Sequence, residues 1–218
     1  MKRRYLAKYL VGAVGGLMAG FMLAGGALAQ AAEEAPDALV KRLSTDVLET
    51  IKADKTIVMG DTAKVVSLVE TKVMPHVNFE RMTASAVGPS WRQATPEQKK
   101  RLQDEFKTLL VRTYSGALSQ VSDQVITVKP FRAAAEDKEV IVRTEIRGGG
   151  DPIQLDYRLE KTPGSGAGWK IYNLNVLGIW LVETYRSQFA QEINAKGIDG
   201  LITALAERNK ANAGAKKA

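Results

Sequence analysis

A chain of 218 residues with no cysteine excludes structural disulfides, thiolate metal sites and a lipid anchor on cysteine, and a lone histidine excludes a His-pair metal centre. Its formal charge of +7 comes from 31 Lys and Arg against 24 Asp and Glu, but Lys2, Arg3, Arg4 and Lys8 crowd the start, leaving 27 basic residues against 24 acidic ones. So small a surplus, part of it in Lys210, Lys216 and Lys217, is not the basic face of a nucleic-acid-binding protein, and no such partner is expected.

The basic start, the nineteen uncharged residues from Val11 to Ala29 and the closing Ala27-Leu28-Ala29 have the layout of an export signal, with cleavage expected after Ala29. An uncleaved membrane anchor of about 17–25 apolar residues is the alternative; the glycines in the stretch and the cleavage motif weigh against it. A single mature domain is expected over residues 30–209, followed by a mobile basic tail over 210–218.

Pro36 and Asp37 open the first helix, with Leu39, Val40, Leu43, Val47, Leu48 and Ile51 close to helical period. A second helical stretch carries Val65, Val66, Leu68, Val69 and Val73 and stops near Pro75, and a third runs from Asn78 to about Val87. Thr95-Pro96-Glu97-Gln98 is a compact helix start, in which Thr95 caps, Pro96 takes the first helical position and Gln98 reaches back. The long helix it opens has Leu102, Phe106, Leu109, Leu110, Tyr114 and Leu118 on one face.

The period then changes to two. Residues 153–160 alternate strictly, and residues 138–147 do so with Val140, Val142 and Ile146 on one side, broken only by Ile141. Residues 124–131 and 168–176 supply two more strands. In the last, Trp169 and Ile171 hold one phase while Tyr172, Leu174 and Val176 hold the other, which implies a bulge or a strand covered on both faces. Short Gly-rich connections make the four strands an antiparallel meander. Two closing helices are expected, one carrying Trp180, Val182, Tyr185, Phe189 and Ile193, the other opening at Asp199 after a stop at Gly197.

Chemically suggestive residues are few. Gly164-Ser165-Gly166-Ala167-Gly168 joins two strands instead of feeding a helix N-terminus, so it reads as a hairpin turn and not a phosphate cradle. Ser115 lies within a helix, without the elbow of a nucleophilic serine. His76 beside Pro75 reads as part of an inter-helix turn. Asp156 points away from Leu155 and Tyr157, where Arg143 or Arg158 could accompany it as a solvated or paired carboxylate.

Several segments together resemble the MlaC family of periplasmic phospholipid-binding proteins, also called toluene-tolerance proteins. They are Val77-Asn78-Phe79-Glu80, Val87-Gly88-Pro89-Ser90-Trp91, the helix start at residues 94–98, and Phe106 through Leu110 to Tyr114. Further on come Leu155-Asp156-Tyr157, Gly168-Trp169-Lys170-Ile171-Tyr172-Asn173, Val176-Leu177-Gly178, Tyr185-Arg186-Ser187-Gln188-Phe189 and residues 197–202. The resemblance spans nearly the whole mature chain. It departs at Leu177-Gly178-Ile179-Trp180, where the family pattern has Glu-Gly-Val-Ser, and Trp180 is expected to reshape the pocket mouth.

The resemblance implies an α+β fold: a twisted four-stranded antiparallel sheet packed with six to seven helices around an apolar cavity, akin to a nuclear-transport-factor-2-like cone with a helical lobe. It implies a soluble periplasmic carrier that holds phospholipid tails and shuttles the lipid between two membrane complexes, maintaining outer-membrane lipid asymmetry. The partners would be an outer-membrane lipoprotein–porin complex and an inner-membrane transporter of the ATP-binding-cassette type with its periplasmic substrate-binding subunit. No catalysis and no cofactor are implied; phospholipid is cargo, and a monomer is expected. Helix and strand phase, taken with the resemblance, mark Met82, Phe106, Leu110, Tyr114, Val142, Leu155, Tyr157, Leu159, Val176, Ile179 and Val182 as lipid-binding. The alternatives are an isomerase or dehydratase on the same cone-shaped fold, and a lipid-free adaptor between envelope proteins.

Overall fold

The structure, a computed structural model, describes residues 33–118, 121–148 and 151–215. The expected export signal, its cleavage position and the last residues of the basic tail lie outside them.

Helix α1 (Pro36–Ala53) starts on a proline, whose missing N–H costs nothing in the first turn. Two short helices follow, α2 (Lys55–Val58) and α3 (Thr62–Leu68). Asp54 caps the first by accepting from the Thr56 amide at 2.9 Å, and Asp61 caps the second by accepting from the Ala63 amide at 2.9 Å. From Leu68 the chain loosens into a π-helical turn (Val69–Val73), tightens into a 3-10 turn at Met74–His76 and enters α4 (Phe79–Val87), which is capped by Asn78. A 3-10 turn at Gly88–Arg92 leads to α5 (Pro96–Leu118). Its start is the expected reciprocal box: the Thr95 amide donates to Gln98 Oε1 at 3.0 Å and the Gln98 amide to Thr95 Oγ1 at 3.2 Å.

The sheet is an antiparallel meander in chain order: β1 (Val125–Val128), β2 (Glu139–Arg147), β3 (Ile153–Lys161), β4 (Trp169–Val176) and β5 (Ile179–Trp180). The expected four strands thus gain a fifth of two residues. Leu177 at φ 52° and Gly178 at φ 85° turn the chain within two residues, so that Ile179 pairs with Val176 and Trp180 with Asn175. Trp180 therefore sits on a strand and not on the closing helix. The first strand is shorter than its apolar run because Pro130 has no N–H to continue the ladder beyond the Lys129 bond to Arg143 O.

The bulge expected in β4 is present. Arg158 pairs with Asn173 and Leu159 with Ile171, leaving Tyr172 as the extra residue. It resets the alternation, so that Trp169 and Ile171 before it and Leu174 and Val176 after it share the face of Leu155, Tyr157 and Leu159. This, the face that packs against α1, is the inner face of the sheet.

Helix α6 (Leu181–Ala215) is two helices broken at Gly197, whose φ of 70° and ψ of −172° are open to glycine and strained for other residues. Its second half continues into the segment expected as a tail, where Ala211 and Ala213 favour helix and the buried Leu205 and Asn209 tie down the preceding turn.

Two principal cores result. One lies among α4, α5 and α6 and centres on Phe106, packed against Phe79, Tyr185 and Phe189. The other lies between α1 and the inner face of the sheet, with Leu39, Val40, Leu43, Val140, Val142, Leu159, Trp169 and Ile171. Val77 and Leu174 touch both. Among the described residues no helix is long and apolar enough to cross a membrane.

Candidate functional site

Burial is graded along the inner face of the sheet. Val140, Leu159 and Ile171, at one end, are all less than a tenth exposed. One pleat further, Val142 and Tyr157 are still buried while Leu174 is half-buried. Beyond them Leu155 and Val176, which pair across β3 and β4, are half-buried, and Ile153 at the strand end is 42% exposed. The helices repeat the trend. Leu102, Phe106 and Leu109 of α5 are closed off, whereas Leu110 is half-buried and Tyr114 is 37% exposed. On α1, Leu39, Val40 and Leu43 are buried and Val47 and Leu48 half-buried, before Ile51 closes off again in a third, smaller core with Ile57, Val65 and Leu68. One end of the inner face is thus a packed core, and the other is apolar without being sealed.

The residues expected to bind lipid divide along this gradient. Met82, Phe106 and Val182 lie in the packed core of the helical lobe, and Val142 and Leu159 in the core beneath α1. Leu155 and Val176, paired across β3 and β4, are half-buried, as is Leu110 of α5, and Tyr114 is 37% exposed. Ile179 is 59% exposed beyond the β4–β5 turn.

Tyr157 stands at the boundary. Its hydroxyl reaches Ser44 of α1, with 3.1 Å between the oxygens, while Thr144 Oγ1 donates to Leu155 O. Burial pushes the Tyr157 phenol up to about 12, so it stays a neutral hydrogen-bonding group. Burial also raises Tyr114 above its usual range, with the nearby Tyr185 adding to the shift.

Four further half-buried apolar side chains lie outside the packed cores and were not assigned to the site by sequence reasoning: Leu48, Val69, Val73 and Ile146. The helical phase of α1 and the alternation of β2 carried that signal for Leu48 and Ile146. Val69 and Val73 sit on the π turn, a departure from the regular period that re-aims side chains. Ser44 had a signal too, as a polar residue one turn after Val40 and one before Leu48 on the apolar stripe.

The opposite face of the sheet is polar. Asp156 is neither solvated nor ion-paired, contrary to expectation: it is 4% exposed and its Oδ2 accepts from Gln154 Nε2 at 2.7 Å. Arg143 stands opposite it across the strands without an ion pair to it. Arg158 turns instead to Glu183 and stacks on Trp180, 4.0 Å from the ring centroid. Trp180 therefore lies on the outer face, pairing with Asn175, and does not rebuild an opening on the inner one. Burial opposes ionisation of Glu183, yet hydrogen bonds from Asn173 and Arg158 outweigh it and hold the carboxyl below its usual range. A pocket of about 480 Å³ lined by Lys129, Arg143, Thr144, Glu145, Pro152, Gln154 and Asp156 is too charged to take apolar tails. Among the described residues no three His, Asp or Glu side chains converge as a metal site would require.

The chain is similar to several known proteins. The chain is 25% identical to the intermembrane phospholipid transport system binding protein MlaC of Haemophilus influenzae, over 80% of this chain and 82% of that one. It is 29% identical to the toluene tolerance protein ttg2D of Pseudomonas putida, over 82% of each. A solved structure of a phospholipid-binding protein from Ralstonia solanacearum, in complex with a phospholipid, is 48% identical and superimposes with a TM-score of 0.78, covering 81% of this chain and 98% of that one. The MlaC family model matches residues 41–207, from the first turns of α1 through the second half of α6, and the chain belongs to the MlaC protein family.

Proposed function

We propose that this protein is a phospholipid carrier that holds acyl chains against the half-open end of the inner face, at Leu110, Leu155 and Val176, with the headgroup toward solvent. The observation that carries the reading is the burial gradient: apolar side chains continue the core outward without being covered by protein. The likeness to a phospholipid-bound structure at 48% identity supports the choice of ligand. Met82, Phe106, Val142, Leu159 and Val182 support that wall from behind.

Two acyl chains of ordinary length gain on the order of 20 kcal/mol on leaving water, at about 0.8 kcal/mol per methylene, so a free lipid hardly diffuses between membranes. Moving the same chains from a bilayer into a protein exchanges one apolar medium for another and is nearly neutral. The carrier is therefore reversible in itself, and direction comes from its partners. In this reading the protein is exported by its N-terminal signal, works as a monomer in the periplasm and meets two complexes. These are an outer-membrane lipoprotein–porin assembly and an inner-membrane ATP-binding-cassette transporter with its periplasmic substrate-binding subunit, and the outcome is outer-membrane lipid asymmetry.

An enzymatic reading would need a carboxylate or histidine on the inner face. Asp156 is on the outer face, and His76 lies in the turn before α4 near Arg42 and Glu34. Native mass spectrometry of the purified protein tests the proposal. A retained mass in the phospholipid range, lost on Leu155→Asp with the fold intact, is expected; a wild-type protein that never carries lipid would overturn it.

A further inference from the structure

We propose that Tyr157, braced against α1 by Ser44, is the floor of the acyl site and sets the length of tail the protein accepts; this rests on the carrier reading above. Three observations carry it. Tyr157 projects from the middle of β3 and its hydroxyl meets Ser44, so one side chain spans the apolar layer from sheet to helix. The bar stands where burial changes: Val140, Leu159, Ile171, Leu39, Val40 and Leu43 on one side are closed, while Val47, Leu48, Leu155 and Val176 on the other are half-open. Its tip is fixed, because the hydroxyl is satisfied by Ser44 and a buried polar group resists leaving its partner.

The chemistry explains why tyrosine suits this position. Phenylalanine would cross the layer equally well but nothing would hold its end, and an acyl chain could displace it. A hydroxyl tied to Ser44 makes displacement cost a buried hydrogen bond. Tails growing inward therefore stop at the ring, and methylenes beyond that depth remain in water.

Each methylene withdrawn from water is worth roughly fourfold in affinity. A series of lysophosphatidylcholines of increasing chain length, kept monomeric and measured by competition fluorescence, should thus rise about fourfold per methylene and then level off at the floor. Tyr157→Leu, too short to reach α1, should move the break to chains longer by about one to three methylenes, the space the phenol vacates. Ser44→Leu, which thickens the floor from the helix side, should move it to shorter chains. Native-state circular dichroism qualifies each variant, and if Tyr157→Leu does not fold, Ser44→Leu decides. A break that stays at the wild-type length in folded variants, or a wild-type series with no break, overturns the floor and leaves the carrier reading standing. Wild-type protein that binds no member of the series refutes both.

Discussion

Truncating Phe106 to alanine tests whether the helical lobe is a closed core or part of the lipid wall. The ring is fully buried and lies 4.9 Å from Tyr185 and 5.2 Å from Phe189, both edge-on, and 5.8 Å from Phe79. A Phe→Ala change in a core costs about 3–5 kcal/mol, and aromatic pairs add about 0.5–1.5 kcal/mol each beyond area, which puts this site at the upper end, near 5 kcal/mol. For a chain of this size such a loss lowers the melting temperature by roughly 10–20 °C. Equilibrium denaturation should be run on delipidated protein, because bound lipid adds stability by mass action. Below its lowered melting point the variant should still retain phospholipid in native mass spectrometry. A loss smaller than about 2 kcal/mol, or a folded variant without lipid, would mean that Phe106 faces the cargo and that the core has been misplaced.

The two sides of the burial boundary should answer differently to charge. Val142→Asp, at a fully buried position, should prevent stable folding, seen as loss of a cooperative denaturation transition, whereas Leu155→Asp should fold and lose lipid. Gly197→Ala should cost about 1–3 kcal/mol in denaturant titrations; the added methyl has open space, so the penalty is that of the backbone angle alone. Thr95→Ala removes one half of the capping box and should cost about 1 kcal/mol by the same assay. Burial first, and the Arg42 charge second, hold the His76 imidazole below its usual 6.5. As pH falls from about 6.5 the unfolded chain takes up that proton before the folded one, so stability declines through this window and levels off once the folded imidazole is protonated. His76→Gln should flatten the slope there while leaving the acid loss near the carboxylate range, where Glu34 and Glu139 are held low by Arg42 and Arg81.

Wherever local chemistry decides structure, the sequence was readable. The Thr95–Gln98 box, the stop at Gly197 and the alternation of β3 each depend on neighbours within a few residues, and each is where the pattern puts it. The fifth strand was not readable because Leu177 is not a residue that announces a left-handed turn; only Gly178 beside it does. The candidate site was legible in part. Phase shows that Val142 and Leu155 share a face, but both are equally apolar, and which of them is roofed by α1 is settled by tertiary packing. The same holds for Asp156, whose facing was correct while its burial depended on what covers the outer side of the sheet.

The bulge at Tyr172 acts on β4 as a one-letter insertion acts on a reading frame. Upstream of it the odd positions, Trp169 and Ile171, face inward; downstream the even ones, Leu174 and Val176, do. Flatten the bulge, so that Tyr172 is kept but pairs with Arg158 in regular alternation, and every later side chain changes sides: Asn173 and Asn175 would turn to the inner face. Asn173 would also leave Glu183 and the Val182 amide, the contacts that anchor the first turn of α6. Tyr172, stacked under Arg81 and bonded to Glu139, is thus a letter the strand sets aside so that the message downstream is read in frame.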